Sequence, residues 1–471
     1  MRDSAKHLPQ SGSSNLTFIV LIAGTAALGG FLFGFDTAVI NGAVAALENH
    51  FQSNPLLTGL SVSLALIGSA LGALIAGSLA DRFGRVKIMV LAAVMFLISA
   101  LGSGLPFTIW DFIFWRVLGG VGVGVASVIA PAYIAEVAPA KLRGRLGSLQ
   151  QLAIVVGIFV ALLSNFVIAS LAGSAENPWL FNLTAWRWMF WSEMIPAAIY
   201  GIAALRIPES PRYLIAQGRD QEAAAVLAKV EGANAWDTVA NIKETISQEH
   251  KPSFGDLIVR NNLLPIVWLG IGLSVLQQFV GINVIFYYSS ILWRAVGFSE
   301  SDSLLITVIT GLVNIITTLI AIATIDRFGR KPLLLLGSIG MFLTLGTLAT
   351  VFANAPINPA TGEPSLTGAG GIVALLAANL YVFCFGFSWG PVVWVLLGEM
   401  FNNRIRGAAL SVAAGMQWVA NFVVSTTFPP LLKTLGLGAA YGLYTTAAAI
   451  SIFFVLFLVK ETKGKTLEQM Q

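Results

Sequence analysis

Three ionisable side chains, Asp36, Arg116 and Glu193, lie inside long apolar stretches of the sequence. A charge in hydrocarbon costs at least about 2.5 kcal/mol, so each is expected to face a partner or a watery cavity and to serve a purpose there. An acid beside a guanidinium holds or releases a proton according to whether the pair is closed or hydrated. That is the chemistry of a switch rather than of bond making. Reactive groups are otherwise scarce: His7, His50 and His250 fall in tails, linker or loop ends, and the one cysteine, Cys384, sits in an apolar stretch. With no nucleophile beside a base, no phosphate loop and no metal-ligand spacing, neither an enzyme nor a cofactor nor a metal is expected. The run Gly119-Gly120-Val121-Gly122-Val123-Gly124 follows no strand and reads as close helix packing rather than a dinucleotide loop.

Such residues need elements that can hold them within a bilayer. The chain is 56% hydrophobic and 11% charged, against roughly 25% charged in soluble domains. Apolar stretches recur over residues 18–41, 58–80, 87–105, 109–134, 148–172, 188–207, 263–293, 302–325, 332–353, 368–398, 409–432 and 440–459. Each is about the length a helix needs to cross hydrocarbon. The first lacks a small-residue cleavage site and contains Asp36, so it is expected to be a retained helix. With the amino terminus in the cytoplasm, 23 of the 27 Lys and Arg fall in tails and cytoplasmic loops; Arg187, Arg294 and Lys433 are external and Arg116 is within a helix. The positive-inside bias therefore puts both termini in the cytoplasm, and the net charge of +4 reports topology rather than nucleic-acid binding.

The chain also repeats itself. Asp81-Arg82-Phe83-Gly84-Arg85 returns as Asp326-Arg327-Phe328-Gly329-Arg330, and Glu136 with Arg143-Gly144 returns as Glu399 with Arg406-Gly407. Glu209, in Pro208-Glu209-Ser210-Pro211-Arg212, has a weaker echo in Glu461-Thr462-Lys463-Gly464. Duplication of this kind predicts an all-α polytopic protein of two pseudo-symmetric six-helix bundles. The expected division is a tail over 1–17, a bundle over 18–207, a cytoplasmic helical linker over 208–262, a bundle over 263–459 and a tail over 460–471.

With these landmarks in place, the chain resembles the sugar porter family of the major facilitator superfamily along nearly its full length, and within it the cyanobacterial glucose permeases. The two Asp-Arg-Phe-Gly-Arg loops, Pro208-Glu209-Ser210-Pro211-Arg212, Gln277-Gln278-Phe279-Val280-Gly281-Ile282-Asn283 and Gly390-Pro391-Val392-Val393-Trp394 carry the resemblance. One departure is Lys460, where the family has the proline that ends helix twelve.

The resemblance implies alternating-access transport of a monosaccharide, glucose first, by a bacterial plasma-membrane protein acting as a monomer. Gln151, Gln277, Gln278, Asn283, Asn314, Trp394 and Gln417 are then the sugar-binding set. Side-chain amides both donate and accept, and so match paired hydroxyls without adding charge. Since residues 277 and 283 would not share a face of a straight helix, Gly281 is expected to break it. Asp36 becomes the proton site, with Arg116 as its partner and Glu193 either in the same network or orienting Arg116. Tyr287 and Tyr288 are candidate outer gates, and Trp389 is a weaker sugar contact. Arg82, Arg85, Glu136, Arg143, Glu209, Arg327, Arg330, Glu399, Arg406 and Glu461 would form cytoplasmic salt bridges between the bundles when the site faces outward. A passive uniporter and a non-transporting membrane sugar sensor remain the alternatives; Asp36 favours symport, and the short tail argues against a sensor.

Overall fold

The computed structural model describes residues 16–139, 142–231, 235–248, 254–259, 262–357, 364–366, 368–401 and 405–462. Apolar helices dominate these residues. Five cross in succession: α1 (Leu16–Phe51), α2 (Pro55–Phe83), α3 (Arg85–Gly104), α4 (Ile109–Val137) and α5 (Arg143–Ala172). A sixth pass is made of two pieces, α6 (Ala185–Ser192) and α7 (Met194–Ala204), which meet at Glu193. After a linker come the broken seventh pass, α11 (Pro265–Phe279) and α12 (Ile282–Arg294), then α13 (Glu300–Phe328), α14 (Arg330–Ala353) and the broken tenth, α15 (Ala369–Gly386) with α16 (Trp389–Met400). The eleventh and twelfth passes run together as α17 (Arg406–Phe457), turned at Gly436, whose φ of 77° and ψ of 170° leave helical space. Helix α17 stops at Phe457 without the proline that Lys460 replaces.

Helix α1 runs ten residues past the expected end at residue 41. Its last turns carry Glu48, Asn49 and His50, so hydropathy falls there while the helix continues beyond hydrocarbon. Starts are set by capping. Asn54 accepts from the Leu57 amide at 2.8 Å ahead of Pro55, Thr108 from Asp111 at 3.1 Å, and Ser299 from Asp302 at 3.1 Å.

Small residues let the helices touch. A Cβ on Gly68 or Gly72 of α2 would come within 2.3 and 2.2 Å of the Val117 and Val121 carbonyls of α4. In return, one on Gly120 or Gly124 would strike the Ala65 and Ser69 carbonyls at 2.0 Å. The glycine run is thus one face of a reciprocal backbone contact. Leucines and isoleucines such as Leu74, Leu171, Ile316 and Leu376 point outward, more than two-fifths exposed, as a lipid-facing surface requires.

The linker is helical as expected, with α8 (Pro211–Ala216), α9 (Asp220–Glu231) and α10 (Ala235–Gln248) packed around Leu214, Ile215, Leu227 and Val239. It also holds a two-stranded antiparallel pair that hydropathy did not signal, β1 (Ile258–Val259) with β2 (Asn262–Leu263). The linker docks on the first half: the Tyr213 hydroxyl donates to the Arg82 carbonyl at 3.4 Å, and Lys229 sits over the Phe18 ring at 5.7 Å.

Candidate functional site

The buried charges of the first half converge. Arg116 Nη1 donates to Asp36 Oδ1 at 2.7 Å and Nη2 to the Asp36 carbonyl at 2.8 Å, so α4 is tied to α1 by both side chain and backbone. The residues are 2% and 1% exposed. Gly119 makes room, since a Cβ there would lie 3.1 Å from Asp36 Oδ1. The Phe190 ring lies 5.8 Å from the guanidinium. Glu193, at the α6–α7 junction, is 1% exposed with its carboxyl beside that of Asp36. Neither Glu193 oxygen nor Asp36 Oδ2 receives a fixed donor hydrogen bond. Two carboxyl groups side by side bond one another only when one carries a proton, and a single guanidinium balances only one of them.

Across the interface lies a string of amides. Gly281, with φ of 81°, breaks the seventh pass into α11 and α12, and the Tyr381 hydroxyl caps the freed Val280 carbonyl at 2.6 Å. Around this break Asn283 Nδ2 donates to Gln278 Oε1 at 2.5 Å and Gln278 Nε2 to Gln277 Oε1 at 3.4 Å. Gln277 Nε2 in turn donates to the Trp389 and Gly390 carbonyls at 2.7 and 3.2 Å, where the tenth pass is broken. One amide chain therefore joins two helix breaks. Gly281 allows what a straight helix would not.

The other candidates fall around this string. Asn314 of α13 is buried near the α15 end, where a Cβ on Gly386 would lie 3.6 Å from its Oδ1. Trp394 is 42% exposed on α16, one turn before Gly398, around which there is open space. Gln151 and Gln417 are half-buried. The neighbouring Gln150 is the more enclosed, its amide pressed on Gly30 with no partner for either atom. Trp389 is fully buried with its indole N–H donating to the Leu334 carbonyl and Ser338 Oγ. Its indole N–H is thereby fixed within the second half.

Tyr287 accepts from Asn421 at 3.4 Å and follows Phe286, whose carbonyl accepts from Asn41 of α1. Tyr288 donates to the Ser425 carbonyl at 2.8 Å and rests against Phe428. Sequence reading missed Asn41, fully buried on α1. Its Nδ2 donates to the Phe286 carbonyl at 2.9 Å and its carbonyl accepts from Ser290 Oγ at 2.5 Å, joining the two halves. The signal was an asparagine in an apolar run, five residues after Asp36.

The duplicated charges form two matching clusters on the linker side. Arg85 bridges Glu136 and Asp81, each at 3.0 Å, while Glu209 accepts from the Arg85 amide at 2.9 Å and the Val86 amide at 3.2 Å. Arg330 bridges Glu399 at 2.6 Å, and Glu461 accepts from the Arg330 and Lys331 amides at 3.0 and 2.9 Å. Ser210 donates to Glu136, and Thr462 to Glu399. In this conformation these bonds lie within each half. Glu209 and Glu461 thus cap the N-termini of α3 and α14, while Glu136 and Glu399 pair with the arginines. Arg82 and Arg327 are exposed on the same loops; the side chains of Arg143 and Arg406 lie outside the described residues.

The halves meet away from the linker. Besides Asn41, Ser63 and Thr426 share a hydroxyl hydrogen bond of 2.6 Å, and Gly59 lies under the Thr426 carbonyl. A Cβ on Gly311 of α13 would lie 3.2 Å from Leu162 of α5. The site is closed on the far face.

The profile of the family described as "Sugar (and other) transporter" matches residues 22–471. The chain belongs to this family of membrane transporters. It is 72% identical over 464 residues to the glucose transport protein of Synechocystis sp., covering 98% of this chain and 99% of that one. To the D-xylose-proton symporter of Escherichia coli K12 it is 40% identical, covering 97% and 96%. The inward-open structure of the xylose transporter XylE from E. coli superposes with a TM-score of 0.82 at 39% identity, over 96% of this chain and 99% of that one. The transporter thus has the major facilitator fold and is not an enzyme.

Proposed function

We propose that the transporter carries glucose across a bacterial inner membrane by alternating access, one proton entering with each sugar. The reading rests on a single observation: a buried cluster of two carboxyl groups and one guanidinium in one half, with an amide string across the interface in the other. Likeness to a glucose transport protein and to a proton symporter supports substrate and coupling in turn.

The linker and both termini face the cytoplasm, following the distribution of lysine and arginine. Glucose binds between the halves, its hydroxyls exchanging hydrogen bonds with Gln151, Gln277, Gln278, Asn283, Asn314 and Gln417, and its C–H face meeting Trp394. A proton reaching Asp36 neutralises the carboxylate and weakens the side-chain half of its tie to Arg116, loosening α1 from α4. Loss of that proton inward restores the pair. Tyr287 and Tyr288 close over the sugar from the outside. The linker-side arginines and glutamates, clustered within each half while the cavity faces inward, pair between halves when it faces out.

The test is uptake of labelled glucose into proteoliposomes with and without an inward proton gradient, comparing the natural chain with Asp36→Asn. The expected outcome is gradient-driven accumulation that the variant loses while retaining exchange. Equal, non-accumulating uptake by both would make the protein a passive facilitator, and no uptake would make it a sensor.

A further inference from the structure

A paired polar contact between the halves at the outer rim is made by a residue that the transport reading leaves unused. Glu300, at the start of α13 in the second half, receives hydrogen bonds from two groups of the first half: Ser174 Oγ to Oε2 at 2.9 Å and the Ala175 amide to Oε1 at 2.8 Å. We infer that this carboxylate is a latch holding the outer face shut, and a positioning residue that sets the balance between inward-open and outward-open states.

The receptor for the carboxylate is built in advance. Gly173, with φ of 86°, turns the chain off the end of α5. The next residues are fixed by bonds within their own half: Asn177 Nδ2 to the Ala172 carbonyl at 2.9 Å, the Trp186 amide to the Ala175 carbonyl at 2.9 Å, and Asn49 of α1 to Glu176 at 2.7 Å. A rigid donor pair therefore faces a single acceptor across the interface, which keeps the ordering cost of closure low. Charge makes each bond stronger than a neutral one.

The latch also sits where leverage is greatest. Helices α5 and α13 touch lower down at Gly311 and Leu162, and Glu300 is eleven residues further out, about 16 Å along the helix. Parting the halves on this side must break both bonds. A second pair of opposite charges flanks the adjoining cleft of about 130 Å³, Glu48 on α1 and Lys433 on α17, with Tyr288 and Phe428 in its lining.

The inference rests on alternating access but not on proton coupling or on which sugar moves. In the full chain carrying Cys384→Ser, two single-cysteine reporters read the two faces: Leu432→Cys in the outer cleft, and Gly398→Cys, where nothing lies within 4 Å of the added Cβ. Vesicles of known orientation are labelled with a membrane-impermeant maleimide. Glu300→Ala is expected to raise the outer labelling rate roughly threefold to tenfold and to lower that of the linker-side reporter, because hydrogen bonds to a charge favour one state only. Glu300→Gln, which keeps an acceptor for the Ala175 amide, and Ser174→Ala, which removes one donor, should each fall between. Unchanged rates at both reporters would overturn the latch, and so would a rise at both, which reports loosening rather than a shift. Labelling is independent of uptake, so the latch stands or falls separately from symport.

Discussion

Asp36 meets one guanidinium and one other carboxyl group, and that two-to-one ratio leaves one carboxyl group without a balancing charge. Its members were legible from sequence because a charge in hydrocarbon is costly wherever it sits, so position alone marks it. The amides were harder. Glutamines and asparagines between membrane helices serve equally as glue, worth about 1 kcal/mol each, and only the break at Gly281 shows that three of them form a chain. At its free end, Asn283 can lose its amide without unseating Gln277 from the Trp389 carbonyl. Asn283→Ala is therefore expected to raise the KM for glucose about tenfold, the cost of one hydrogen bond, with kcat changed less. Initial rates against sugar concentration in proteoliposomes would show it; a fall in kcat alone would place Asn283 in the conformational step. Glu300 stayed hidden because a polar residue at a helix start is commonplace, Asn41 because a lone amide among membrane helices reads as glue, and the partners of both lie on the other half.

Among the elements, the twelve apolar stretches all found their helices, yet three passes were broken and two were joined. Hydropathy reads composition, and breaks made by Gly281, by Ser388 and at Glu193 scarcely change it. The repeated loops show what duplication preserves: Glu209 caps α3 and Glu461 caps α14, each across two backbone amides. Equivalent geometry should give equivalent energy. Glu209→Ala and Glu461→Ala are each expected to destabilise the fold by about 1 kcal/mol, the usual worth of a lost cap near a helix dipole. Thermal unfolding in detergent would compare them, and a much larger loss for Glu209 would trace to its added place beneath the linker.

For the whole molecule, the contacts of Asn41, Ser63 with Thr426, and Glu300 join the halves on the side away from the linker. If a proton accompanies each sugar, a membrane potential of about 100 mV supplies roughly 2.3 kcal/mol, near fiftyfold accumulation. An uncoupler added to loaded vesicles should bring that ratio to one, and a ratio held above one would exclude proton coupling. The amide chain between the two helix breaks carries a last consequence. Because Asn283, Gln278 and Gln277 already satisfy one another and the Trp389 carbonyl, a sugar binding there as proposed would swap bonds rather than add them. Net affinity is then modest and the exit barrier low, which suits a carrier whose throughput depends on letting go.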